Sequence, residues 1–233
     1  MIIAIDGPAG SGKTSTAHAV AERLGFRHLE TGAFYRAITL AALRAGIRPE
    51  AWGDLKGEDL ERFRFEARPG DLDFRFFLGD EDVTDVLYGE EVTSHVSEMA
   101  QVPAVRAWLL GRQRAAARGA DVVADGRDIG TIVFPNAELK VFVTARPEVR
   151  AVRRLRQRGV ADPGPAEIAA ETARLVERDR RDSSRAVAPL RRAPDAVVVD
   201  TTNLTFDQQV DRIVSLVGRR GPRGQAGGSR DNT

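Results

Sequence analysis

Apolar positions repeat with two different periods along this chain. Ile2, Ile3, Ala4 and Ile5 form an unbroken run, the pattern of a strand covered on both faces of a parallel sheet. A glycine-rich turn follows. From Lys13 to Leu24 the residues Ala17, Val20, Ala21 and Leu24 recur at three and four, which predicts an amphipathic helix stopped by Gly25. Arg27 to Glu30 reads as a second short strand. Gly32 to Ala45 reads as a helix with Phe34, Ile38, Ala41 and Ala42 on one face, closed by Gly46.

The pattern then changes. Between Arg64 and Val83 phenylalanines alternate with charged residues, and Gly70-Asp71 and Gly79-Asp80 mark turns, so a small antiparallel insertion of two or three strands is expected. Residues 103 to 118 return to helical spacing. Asp121 to Ala124 and Leu139 to Thr144 are further apolar strands, the second followed by Pro147 and a helix to about Arg158. After the Pro/Gly break at 160 to 166, a highly charged helix is expected from Glu167 to Arg181. A strand from Ala196 to Asp200 and an amphipathic helix from Phe206 to Val217 complete the pattern. The predicted fold is α/β: a parallel sheet flanked by helices, carrying a small antiparallel insertion. The tail 219–233 turns to Gly, Arg, Pro, Ser and Asn without an apolar face, and disorder is expected there.

Length and composition narrow the picture further. The 233 residues, 42% hydrophobic and 30% charged, suit one large domain with an insertion rather than two equal domains. No apolar run approaches the roughly 20 residues that a membrane helix requires. The opening strand bears no resemblance to a secretory signal, so a cytoplasmic protein is expected. With no cysteine, thiolate metal sites are excluded; three scattered histidines make a His-based zinc site unexpected, so any metal is expected to be held by oxygen. The histidines show no carboxylate partner in the sequence, and packing or surface roles are expected for them. Charge is balanced at +1, so nucleic-acid binding is not expected, and because no sustained exposed apolar stripe appears, a monomer is expected.

The chemistry concentrates at Gly7-Pro8-Ala9-Gly10-Ser11-Gly12-Lys13-Thr14, with Ser15 next. These residues fit the phosphate-loop pattern G-x-x-x-x-G-K-[ST] between a predicted strand and a predicted helix. Glycines let backbone N–H groups close around an anion, and the helix start presents its positive end. Lys13 is expected to reach the β and γ phosphates of ATP, and the Thr14 hydroxyl to ligate Mg2+. Lysine is chosen here although the chain has only Lys13, Lys56 and Lys140 among its 35 basic residues. Asn136, Asn203 and Asn232 are not followed by lysine, so the base-reading element of a guanine switch is missing.

Transfer to a small phosphorylated acceptor needs a second set of cations. Arg36, Arg127 and the crowded Arg178, Arg180, Arg181 and Arg185 are candidates. By themselves the last four could equally be a solvated helix face paired with Asp179 and Asp182.

The strings DGPAGSGKT, TGAFYRA, ADGRDIGTIVFP and RDRRDSSRAVAPL occur in this order. Together they resemble the bacterial cytidylate kinases, over about Ile2 to Val217. The resemblance implies a phosphate-loop core with an acceptor-binding insertion at about 31–102 and a short arginine-rich lid at about 155–187. It implies transfer of the γ-phosphoryl of ATP to CMP and dCMP. Arg36 and Arg127 would hold the CMP phosphate with Arg185 in support, and Ser97, Arg106 and Asp128 would read the cytosine edge. Arg178 and Asp182 would meet the sugar, and Thr31 stands at a position usually Ser or Thr. The catalytic charges would be Lys13, Arg127, Arg178 and Arg181. Two rivals remain: a kinase for UMP, AMP or a sugar, and a module that binds nucleotide without transferring phosphate.

Overall fold

The computed structural model describes residues 1–218, so the expected disordered tail at 219–233 lies outside the described residues. Five parallel strands form the central sheet: β1 (Ile2–Asp6), β2 (Arg27–Glu30), β6 (Val122–Gly126), β7 (Leu139–Thr144) and β8 (Val197–Asp200), in the order β2-β6-β1-β7-β8. β1 lies between β6 and β7, with Ile5 beside Asp125 and Val141. This burial on both faces explains its uninterrupted apolar run.

The alternation within β1 divides the core. Ala4 points into a layer with Leu29, Phe34, Ile38 and Leu109, whereas Ile3 and Ile5 point into a layer with Val20, Val210 and Ile213. The first layer is covered by α2 (Thr31–Arg44) and α5 (Pro103–Ala116), the second by α1 (Lys13–Leu24) and α8 (Phe206–Gly218). Because each strand's carboxyl end lies at the same edge of a parallel sheet, the turns after β1, β2 and β6 meet there.

The phenylalanine alternation forms the three-stranded antiparallel sheet β3 (Phe65–Pro69), β4 (Phe74–Leu78) and β5 (Glu81–Asp82), in the order β3-β4-β5. Phe65 and Phe76 turn inward onto Phe34, with ring centroids 5.5 and 5.2 Å away. Burying such a ring is worth about 1.5–3 kcal/mol, so the insertion is fixed on α2 rather than tethered beside it.

Two helices of the insertion were not legible as periodic segments: α3 (Gly57–Arg62) is short, and α4 (Glu90–Met99) has only Val92, Val96 and Met99 buried. Beyond the sheet, α6 (Pro147–Gln157) packs against α7 (Pro165–Ser183). α7 starts two residues before the expected Glu167 because Pro165 occupies the first turn and the Glu167 carboxylate accepts the Gly164 N–H at 2.8 Å. No described helix is long and apolar enough to cross a membrane.

Candidate active site

The loop between β1 and α1 is shaped by what its glycines permit. A Cβ on Gly7 would lie 2.1 Å from the Val143 carbonyl oxygen, and Gly12 precedes α1 at φ +86°. Only glycine satisfies both conditions without strain. Lys13 folds back to donate to the Pro8 carbonyl at 3.4 Å. The Thr14 hydroxyl donates to Asp125 Oδ2 at 2.8 Å. Ser11 Oγ is buried with no hydrogen-bond partner among the described residues.

The cleft over this loop is lined by Lys13, Arg36, Arg127, Arg154 and Arg178, against the carboxylates Glu30 and Asp125. Neither Arg154 nor Arg178 makes a side-chain ion pair among the described residues. Burial, and then repulsion from Arg127, lower the Lys13 pKa to about 7 and that of Arg178 to about 10. A polyanion in this cleft would relieve both penalties.

A second, smaller cavity adjoins it. Thirteen residues line this cavity, and Thr31, Ser97, Arg106, Arg127, Asp128, Arg178, Asp182 and Arg185 are among them. Every acceptor residue expected from sequence therefore converges there except Arg36. Arg36 stands in the first cleft, donating to the Leu87 carbonyl at 3.1 Å and to Thr93 Oγ1 at 2.9 Å. The convergence joins four distant segments: the start of α2, α4 to α5, the end of β6 and the end of α7.

Carboxylates occupy the guanidinium groups of this cavity. Asp182 accepts from Arg127 Nε at 2.9 Å and from Arg185, while Asp128 pairs with Arg106. Burial raises Asp128 above the usual carboxylate range against the pull of Arg106, whereas Arg127 and Arg185 outweigh burial and hold Asp182 low. Asp128 is aimed by the single π-helical turn Ile129–Val133, whose first amides, Ile129 and Gly130, donate to Asp6 at 2.7 and 2.8 Å.

α7 reaches the phosphate loop directly. The Ala9 N–H donates to Asp179 Oδ1 at 3.0 Å, and Arg150 donates both to the Ala9 carbonyl and to Asp179. Arg181 does not join either seat: it is exposed, 3.6 Å from Glu177, on the outer rim of the cleft between α4 and α7. Arg180 is likewise exposed and paired with Glu177. Arg154, by contrast, was missed in the sequence. Its only local signal is the helical spacing from Arg150, four residues and about one turn earlier on the same face of α6.

The histidines correct an expectation. His28 and His18, expected to lack carboxylate partners, converge on Asp73 of the β3–β4 turn, with rings 5.7 Å apart. His28 is 3% exposed, with Nδ1 2.7 Å from Asp73 and Nε2 2.9 Å from Asp125. Partners 45 and 97 residues away carry no local sequence signal. Burial opposes the His28 charge, but the hydrogen bonds to Asp125 and Asp73 prevail and raise its pKa to about 9.

A folded-state pKa above the unfolded value stabilises the fold below about pH 6.5, and that stability is lost as pH rises through 9. The contribution is of order 3 kcal/mol. Lys13, lowered to about 7, acts in the opposite sense over the same range, so the difference between proteins isolates His28. Thermal midpoints at pH 6.5 and 9.5 should fall further for the wild type than for His28→Gln. Identical differences in the two proteins would reject the charged, paired state.

Comparison with known proteins agrees with this geometry. Residues 3–219 match the family model described as Cytidylate kinase. The cytidylate kinase of Mycobacterium avium (strain 104) is 47% identical over 224 residues, covering 94% of this chain and 96% of that protein. Those of Geobacillus thermodenitrificans (strain NG80-2) and Azotobacter vinelandii (strain DJ / ATCC BAA-1303) are each 44% identical, over 221 and 232 residues, again covering 94% of this chain and 96% of the relative.

Proposed function

The chain belongs to the cytidylate kinase family, and on that premise we propose that it transfers the γ-phosphoryl group of ATP to CMP, and also to dCMP, with Mg2+. The observation that carries this reading is a shared wall. Arg127 and Arg178 line both the phosphate-loop cleft and the acceptor cavity, so the same two guanidiniums face donor and acceptor phosphates. In-line transfer needs that placement, because its catalysis is mostly positioning and charge neutralisation.

ATP fits the loop: Ser11 Oγ lies buried without a hydrogen-bond partner among the described residues, and the Lys13 ammonium would exchange its long bond to the Pro8 carbonyl for a phosphate oxygen. The oxygen donors also fit a hard cation. Phosphate oxygens and water would supply most of its ligands, and the Thr14 hydroxyl one. When bound, Mg2+ neutralises charge across the β and γ phosphates. The acceptor phosphate is already ionised, so no general base is required.

On the acceptor side, Ser97, Arg106 and Asp128 offer hydroxyl, guanidinium and carboxylate groups that complement the amino, ring-nitrogen and carbonyl positions of cytosine. Arg127, Arg36 and Arg185 would take the phosphate, and Asp182 and Arg178 the sugar. The cavity, about 90 Å³, is smaller than typical ligand pockets of roughly 300–1,000 Å³. The Asp182 pairs with Arg127 and Arg185 must therefore give way when CMP enters. Segments 31–102 and 155–187 are the parts that move, and Arg181 comes from the rim of the lid. The same reading implies a cytoplasmic monomer acting on small molecules, in line with its balanced charge.

A panel of CMP, dCMP, UMP, AMP and simple sugars with ATP and Mg2+ tests the reading. CMP and dCMP should exceed the rest by at least tenfold in kcat/KM. Preference for another acceptor, or ATP binding without transfer to any, would replace it with one of the two rivals. Arg154 adds a further test. Arg154→Ala should lower kcat by roughly tenfold, the effect of about 1.4 kcal/mol of lost phosphate stabilisation, with the CMP KM little changed. An unchanged kcat would remove Arg154 from the donor seat.

A further inference from the structure

The Thr14 hydroxyl does not stand alone behind the phosphate loop. It donates to Asp125 Oδ2, while the other carboxylate oxygen, Oδ1, is taken by His28 Nε2. His28 Nδ1 reaches Asp73 Oδ1, and Asp73 Oδ2 lies 3.1 Å from His18 Nε2. The backbone repeats the connection: the His28 N–H donates to the Leu72 carbonyl at 2.8 Å, and Thr31 Oγ1 donates to the Asp125 carbonyl at 2.8 Å. One hydrogen-bonded path thus runs from the turn of the acceptor insertion, through edge strand β2 and the end of β6, to the first turn of α1.

We propose that His28 is a positioning residue for Thr14: held by Asp73, it fixes the Asp125 carboxylate so that the Thr14 hydroxyl donates inward and turns its lone pairs to the Mg2+ of the bound nucleotide. The chemistry of the donor set requires this order. Both His28 ring nitrogens face carboxylate oxygens, so both donate and the ring is imidazolium. A charged, nearly fully buried ring between two carboxylates has one orientation, and it leaves Asp125 one free oxygen to accept from Thr14. A hydroxyl whose proton is committed to a carboxylate can offer only lone pairs elsewhere, which is what a cation needs. Because Asp73 and Leu72 belong to the insertion turn, the metal-side hydroxyl is set partly by how that turn sits against β2.

The inference rests on the reading of Thr14 as the protein's Mg2+ ligand, and its test separates the two. ADP affinity is measured by calorimetry with and without Mg2+ for the wild type, Thr14→Ala, His28→Gln and Asp73→Asn, alongside CMP affinity. His28→Gln keeps a single donor nitrogen, lacks the charge, and cannot place donors on two opposed ring positions to bridge both carboxylates. Asp73→Asn removes a charge at a half-exposed site and guards against misfolding of the buried variant. The Mg2+-dependent tightening should weaken roughly three- to tenfold in His28→Gln, in keeping with the usual effect of disturbing groups behind a metal ligand. A smaller weakening is expected in Asp73→Asn. Metal-free ADP and CMP affinities should stay within about twofold.

A purely structural role would shift all three affinities together with the thermal midpoint, and that result overturns the proposal. So does a normal Mg2+ effect in both folded variants while Thr14→Ala loses it. If Thr14→Ala also keeps the full Mg2+ effect, the assignment of Thr14 fails, and the positioning role fails with it.

Discussion

Lys13→Met is expected to lower kcat by about 10²–10³, the usual loss when one charge-stabilising donor is removed from a phosphoryl or acyl transfer site. The fold should survive. Lys13 is buried, but among the described residues its ammonium makes a single, long hydrogen bond, to the Pro8 carbonyl at 3.4 Å, and burial opposes its charge and pushes its pKa down to about 7. Methionine keeps the length and apolar stem of the side chain while removing the ammonium. Steady-state turnover with ATP and CMP, together with thermal unfolding, checks both halves. Wild-type turnover in a folded variant would detach the loop from the chemistry.

The second large effect falls on the other seat. Asp128→Ala should raise the KM for CMP by roughly 100-fold, about 2.7 kcal/mol, and leave ATP binding within twofold. Two costs combine. The base loses a charge-assisted acceptor, and Arg106, 6% exposed, loses its carboxylate and keeps, among the described residues, the Ala100 carbonyl at 3.1 Å. Such an unmade buried bond weakens discrimination more than general binding. Acceptor kinetics with CMP, UMP and AMP, set beside ATP calorimetry, decide the matter. A loss equal for every acceptor would deny Asp128 a role in reading the base.

What the sequence could reveal follows from the range of each interaction. The phosphate loop was legible because its chemistry is contiguous: one strand, eight residues and one helix start bring backbone amides, Lys13 and Thr14 to one point. The hairpin was legible because Phe65, Phe74 and Phe76 carry the strand period in their own side chains. Arg127 and Asp128 could be placed by topology, since the end of a parallel strand faces the ligand edge. Ser97 and Arg106 could not. Their helices α4 and α5 show ordinary surface spacing, and only the family resemblance pointed to them.

The partners of His28 lie beyond any local reading. Asp73 and Asp125 come to it because the hairpin docks on the sheet edge at β2, a tertiary event with no periodic trace. Arg154 escaped for a different reason. In a chain with so many arginines, one more on a charged helix carries no information until the structure shows it unpaired in a cleft beside Lys13 and Arg178.

The most direct test of two adjoining phosphate seats is a single-turnover transfer with the full chain in excess over γ-labelled ATP, with Mg2+ and CMP, quenched at intervals and resolved by chromatography. Label should pass from ATP to CDP one for one, with none released as inorganic phosphate and none moved when CMP is left out. Label appearing as free phosphate at the same rate with or without CMP, or remaining in ATP throughout, would contradict a kinase whose arginines bridge donor and acceptor.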